Sequence, residues 1–438
     1  MSVETITILL FAAMAVGLIS GLPIVFVLGG VALLFSFLVV GPNFLGMAMN
    51  GMFRLMNTYT FLALPFFLFM ASILERSGVA DDLYSMMHRW FGPVPGGLAI
   101  GTVVICTIFA AMSGVSAAAT VTMGLIALPA MIKRGYDKRL AVGSIAAGGG
   151  LGQLIPPSTI MITWALFSGE SVGQMFIGGI IPGLILSGLY MSYIAVRCFT
   201  KPAVGPPLPK EERLGWKDKL ISLKAVILPV FIILGVLGTI FAGIATPTEA
   251  AAVGSLASVI SAIIYRRFNW ETISLALRST IKTTCMVLWL AIAGSAFATT
   301  FIVIGGQEFV KNAILGLQAN PWAVIIGMQA VYLFLGCLLE PMAMIMITIP
   351  IFLPVVDALG FSTLWFGVLF IMNMEIGFLT PPFGMNLFYM KAIAPKEVSM
   401  VDIYRSVIPF IGLQLLGMAI CLAFPQTILY LPKMVFGR

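Results

Sequence analysis

Apolar runs of membrane-spanning length dominate the hydrophobic pattern of this chain. Residues 6–20, 24–40, 225–245 and 286–304 are free of charged side chains and close to the ~20 residues with which a helix crosses a bilayer. Followed along the chain, the pattern predicts spans near 3–20, 22–41, 58–75, 140–168, 174–196, 225–245, 247–265, 283–303, 362–390 and 406–430. The first run has no basic residues ahead of it, and the next begins after only Gly21-Leu22-Pro23. It is therefore expected to remain as a span rather than be removed as a signal peptide.

Two further apolar stretches, 95–132 and 320–356, begin and end on one side. The first carries Ser113-Gly114-Val115-Ser116 at its middle, the second Gly336-Cys337-Leu338-Leu339-Glu340-Pro341. Small hydroxyl residues with Gly, and an acid beside Pro, are what polar hairpin tips require, so both are read as re-entrant helical hairpins. Two full crossings would leave the same loop charges. Residues 42–56 and 267–282 hold equivalent places, and the second mixes Trp270, Ile273, Leu275 and Leu277 with charges, as an interfacial arm helix does.

The landmarks recur at an offset of 225 residues. Leu128-Pro129 returns as Leu353-Pro354, and Gly152 with Pro156-Pro157 returns as Gly377 with Pro381-Pro382. Ahead of them Ile100-Gly101 aligns with Ile326-Gly327 at an offset of 226, and behind them Ile181-Pro182 aligns with Ile408-Pro409 at 227. The fold class expected is an all-α integral membrane protein built as a twofold repeat. The first repeat covers 1–200, a basic and Pro-rich linker 201–223, and the second repeat 224–438.

Composition narrows the class further. The chain is 60% hydrophobic and 9% charged, far from the roughly 25% charged residues of a soluble domain. Five scattered cysteines form no CxxC pair, and the single histidine, His88, lies in a polar connection, which removes disulfide frameworks and zinc sites. The net charge of +7 suggests basic loops rather than nucleic acid. If 133–139 is cytoplasmic, so are 76–94, 197–224, 266–282 and 391–405, and these connections hold 20 of the 24 Lys and Arg. The positive-inside bias then puts both termini in the periplasm and gives the two repeats opposite orientations, a common transporter arrangement.

Each half also carries a helix broken at mid-membrane. Gly148-Gly149-Gly150-Leu151-Gly152 followed by Pro156-Pro157 cannot remain a regular helix, because Pro lacks a backbone donor and pushes its predecessor out of the helical region. Gly377 to Pro382 repeats the break. Carbonyls freed there are oxygen ligands for a desolvated cation, and half-helix amino ends favour an anion. Glu340 and Glu375 are the carboxylates at depth, Glu249 lies nearer a segment end, and no Lys or Arg is mid-span. A carboxylate at depth points to function by default; Glu340 equally suits a tip carboxylate capping a helix.

Six motifs stand in order along the chain: Leu74-Glu75-Arg76-Ser77-Gly78-Val79, Ser113-Gly114-Val115-Ser116, Ile155-Pro156-Pro157-Ser158, Thr246-Pro247-Thr248-Glu249-Ala250-Ala251-Ala252, Leu339-Glu340-Pro341 and Thr380-Pro381-Pro382-Phe383-Gly384-Met385-Asn386. In their order and spacing the sequence resembles the large membrane subunit of tripartite ATP-independent periplasmic (TRAP) transporters. The resemblance covers nearly the whole chain. Phe383, Gln153 and Val115 depart from the family's usual residues. The resemblance implies a sodium-driven importer of a small organic acid in the bacterial inner membrane. Its partners would be a small four-helix membrane subunit and a soluble periplasmic binding protein. It implies an elevator mechanism, in which hairpins and broken helices move against a scaffold. One sodium site would map to Ser113, Ser116, Gly152, Ile155 and Pro157, the other to Gly336, Gly377, Thr380 and Phe383. The solute would meet Ser116, Thr159, Glu340 and Asn386.

Other classes fit less of the pattern. A channel needs a continuous polar path, whereas polarity at depth is confined to two tips and two breaks. An intramembrane enzyme needs paired catalytic groups, and no mid-span Asp, His or Lys exists to supply them. A stand-alone sodium/organic-anion symporter would share most features.

Overall fold

The computed structural model describes residues 1–42, 44–209 and 215–437. The centre of the linker (210–214) and Arg438 lie outside these, and with them the sides of the membrane expected for both. Every regular element among the described residues is a helix. The first ten are α1 (Val3–Ile19), α2 (Ile24–Val39), α3 (Phe44–Met56), α4 (Ala63–Arg76), α5 (Val79–Phe91), α6 (Gly97–Ser113), α7 (Ser116–Lys133), α8 (Lys138–Gly150), α9 (Thr159–Ser168) and α10 (Val172–Thr200). After α11 (Trp216–Ser222) come α12 (Lys224–Phe241), α13 (Pro247–Ile264), α14 (Trp270–Val303), α15 (Gly306–Gly316), α16 (Pro321–Gly336) and α17 (Pro341–Ala358). The chain closes with α18 (Thr363–Leu379), α19 (Met385–Ile393), α20 (Met400–Ala423) and α21 (Gln426–Phe436).

Local chemistry sets many of these boundaries. The Thr246 hydroxyl accepts from the Glu249 amide at 3.3 Å while the Glu249 carboxylate accepts from the Thr246 amide at 2.8 Å. This capping box, with Pro247 in the first turn, starts α13. Ser399 and Asp402 start α20 in the same way; Glu249, expected near a segment end, caps the first turn of α13. Asn269 caps α14, and Asp137 caps α8.

The structure differs from the expected pattern in several places. The arm 267–282 and the span 283–303 form one 34-residue helix, α14, because no Gly or Pro stands between Trp270 and Ala293 to interrupt it. The span expected to reach residue 430 ends at Ala423, since Pro425 cannot continue the hydrogen-bond ladder and α21 starts afresh. Helices α5 and α15 occupy stretches read as connections.

Seven helical segments among the described residues are long and apolar enough to cross a membrane, and seven shorter helices are similarly apolar. Large exposed apolar side chains, among them Phe26, Phe37, Phe231, Leu234, Val253 and Leu256, would face lipid, where burial of polar groups inside and apolar groups outside is required. α4 packs with α13 and α14, and α2 and α3 lie along α14. The remaining core joins α6–α10 to α16–α20 and is tightened by aromatic contacts: Trp164 stacks on Phe370 at 4.9 Å, and Tyr332 meets Phe370 edge-on at 4.8 Å. One packing relation governs everything that follows. The second half of each broken helix lies against the hairpin of the other half of the chain: α19 on α7, and α9 on α17.

Candidate functional site

Helix α6 ends at Ser113, Gly114 turns with φ 61°, and α7 begins at Ser116. The positive φ is one reason for glycine there. The other is closeness, since a Cβ on Gly114 would overlap the Pro157 carbonyl oxygen. Opposite, α8 ends at Gly150 and a short 3-10 turn carries the chain through Gly152. A Cβ on Gly152 would lie 3.2 Å from the Val115 carbonyl carbon and oxygen and 3.3 Å from the Ser116 amide nitrogen. The break thus rests directly on the tip. Thr159, the first residue of α9, points its hydroxyl and amide at the Gly114 carbonyl at 3.4 and 3.5 Å. Ser113 Oγ donates to the Val115 carbonyl at 3.4 Å. Gly152, Pro157, Ser113 and Ser116 are therefore brought together. The Ile155 side chain turns away, against Gly183 of α10, so that residue has its backbone alone to offer.

At the second tip, a Cβ on Gly377 would lie 2.6 Å from the Gly336 carbonyl oxygen. The end of α16 and the end of α18 are in backbone contact. Thr380 ends α18; its amide donates to the Gly377 carbonyl at 3.2 Å and its hydroxyl to the Ile376 carbonyl at 2.6 Å. Phe383 is 58% exposed. Glu340 stands at the amino end of α17 with extended backbone. Glu375 is fully buried, and neither carboxylate oxygen has a hydrogen-bond partner among the described residues.

Between the tips lies a cavity of about 350 Å³. Gln153, Thr159, Glu340 and Tyr389 give it polar walls, and Met286, Met342, Phe378 and Met385 an apolar surface. Among the described residues, no Lys or Arg lines it. The opening turns of four helices reach it, through Ala117 of α7, Thr159 of α9, Pro341 of α17 and Met385 of α19. A smaller cavity of about 100 Å³ adjoins, lined by Ser72, Glu75, Ser113, Ser279 and Thr283, and shares Val115 and Thr283 with the first.

Of the residues expected at the solute, Thr159 and Glu340 line the main cavity. Ser116 and Asn386 do not; both are fully buried, and Ser116 Oγ donates to Asn386 Oδ1 at 2.8 Å. The sequence reading missed Thr283, Ser279 and Tyr389. Ser279 and Thr283 do leave a trace, two hydroxyls four residues apart on one face of a largely apolar helix.

A sequence profile described as the DctM component of the tripartite ATP-independent periplasmic transporters matches residues 11–427. The chain belongs to this TRAP transporter family. It is the large permease subunit, a transport protein and not an enzyme. It is 31% identical to the C4-dicarboxylate TRAP transporter large permease protein of Vibrio cholerae over 98% of both chains. Against the ectoine/5-hydroxyectoine large permease of Ruegeria pomeroyi it is 32% identical, over 86% of this chain and 87% of that one. Against the sialic acid large permease of Vibrio cholerae the identity is 30%, over 96% and 97%. The fold of the TRAP permease is shared with the YdaH transporter of Alcanivorax borkumensis, with a TM-score of 0.61, 16% identity, and 91% and 90% of the two chains covered.

Proposed function

We propose that this TRAP permease imports a small organic acid across the bacterial inner membrane, driven by sodium, with the two hairpins and two broken helices moving together as an elevator. One observation carries the reading: four helix amino ends converge on a single cavity while the carbonyl ends of their neighbours meet in backbone contact beside it. Each amino end carries the equivalent of about half a positive charge. Four of them give an anion its counter-charge where no Lys or Arg lines the wall. The carbonyl ends, Ser113–Gly114 with Gly152 and Gly336 with Gly377, give oxygen ligands suited to a small desolvated cation. Sodium ions there would also offset Glu340, so that cation and anion each make room for the other.

The relatives named for C4-dicarboxylates and sialic acid support an acidic solute. The repeated landmarks, with the crossed packing of α19 on α7 and α9 on α17, support an inverted repeat. The family supports a small membrane subunit and a periplasmic binding protein as partners. In proteoliposomes holding the permease and its small subunit, an inward sodium gradient should drive accumulation of the solute only when the loaded binding protein is added. Accumulation without sodium would overturn the coupling. Accumulation from free solute would instead identify a stand-alone symporter.

A further inference from the structure

Asn386 is the second residue of α19, beyond the second break, yet both ends of its side-chain amide are engaged by the first half of the chain. Its nitrogen donates to the Ala146 carbonyl of α8 at 3.1 Å, and its oxygen accepts from Ser116 Oγ, at the first hairpin tip, at 2.8 Å. All of this is buried. The polarity of the chain of bonds is fixed by chemistry. A backbone carbonyl can accept only, so the amide must turn its nitrogen to Ala146 and its oxygen to Ser116. The Ser116 hydroxyl must then be the donor, and its two lone pairs are left facing away from Asn386.

We propose that Asn386 is a positioning residue that couples the two breaks. It commits the only Ser116 proton to itself and so presents the hydroxyl oxygen, rather than the hydrogen, to a cation at the first tip. This inference rests on the sodium-driven reading above. Asn386 stands six residues after Thr380, so ordering of the second break by a cation fixes the amide that sets the first site. Loading at one break then favours loading at the other. The place 225 residues earlier holds Met161, which has no side-chain donor, so this bond has no counterpart from α9, although the coupling it carries acts equally on both sites.

The test uses sodium itself as the probe, through the melting temperature of the purified permease with its small subunit, titrated with sodium chloride at ionic strength held constant by potassium chloride. A ligand that binds the folded state raises stability in proportion to ln(1 + [L]/Kd). Asn386→Ala should need about tenfold more sodium for the same rise, the size of one lost hydrogen bond. Its sodium curve should also be less cooperative than the parent's. Ser36→Ala, which removes a hydroxyl that meets Thr300, should keep the parent's sodium dependence. Ser116→Ala with Asn386→Ala should be no worse than Ser116→Ala alone. If Asn386→Ala does not accumulate in the membrane, Asn386→Ser, too short to bridge both partners, takes its place. A mutant curve overlaying a sodium-dependent parent overturns the inference. So does a mutant that loses solute affinity at saturating sodium with its sodium curve unchanged. A parent that gains no stability from sodium overturns the coupled reading itself.

Discussion

The hydroxyls at the two tips have their protons occupied: Ser113 donates to the Val115 carbonyl and Thr380 to the Ile376 carbonyl. Such back-bonding is common in helices and by itself proves nothing, but it leaves the oxygen lone pairs turned outward. Removing one oxygen ligand from a desolvated cation costs on the order of 1.5–3 kcal/mol. Ser113→Ala and Thr380→Ala should each raise the sodium needed for half-maximal uptake by roughly tenfold to a hundredfold. Ser36→Ala serves as control. Ser36 is buried against Thr300 at 2.7 Å, away from both tips, so that change should lower stability and leave the sodium dependence alone. Curves of both tip mutants overlaying the parent would refute the ligand assignment. At this scale the sequence was legible where chemistry is local: Gly, Pro and hydroxyls clustered within a few positions announce a tip or a break. The Ser116–Asn386 bond was not, because residues 270 apart in sequence leave no local mark of their meeting.

Among the elements, glycine marks where helix ends approach too closely for a side chain. Gly377 meets the backbone of Gly336, which cannot swing aside as a flexible side chain would. Gly377→Ala must therefore push α16 and α18 apart. Sodium-driven uptake should fall at least tenfold, while Gly327→Ala, which faces open space, should transport normally. Uptake by Gly377→Ala at the parent's rate would show that the contact is dispensable. The breaks and hairpin turns lie where Gly and Pro put them, and Thr246-Pro247-Thr248-Glu249 is a capping box readable from four letters. Helix α14 was harder to foresee. A composition change from charged to apolar at about Lys282 looks like a boundary, but a helix ends where its hydrogen bonds fail, not where its environment changes. Helices α5 and α15 were hidden for a related reason: they are too polar or too short to register as apolar runs.

Across the whole molecule, the loop charges predict an orientation, and it can be measured directly. A reporter inserted at Gly215 should score cytoplasmic, and one fused after Phe436 periplasmic. The reverse at either position would turn the permease over and exchange the roles of the two hairpins. Hydropathy gave the all-helical class and the approximate number of segments. It gave no sign that each broken helix leans on the opposite hairpin, since that depends on shape complementarity, as where Gly124 of α7 makes room for Ile393 at the end of α19. That crossing has a consequence for how the protein is made. The ribosome delivers α7 long before α19, and α9 long before α17, so during synthesis each polar surface must wait in the membrane for a partner not yet translated. Neither tip is a binding site when it first emerges. The centre between the tips is assembled only after Asn386 and the rest of α19 have left the ribosome.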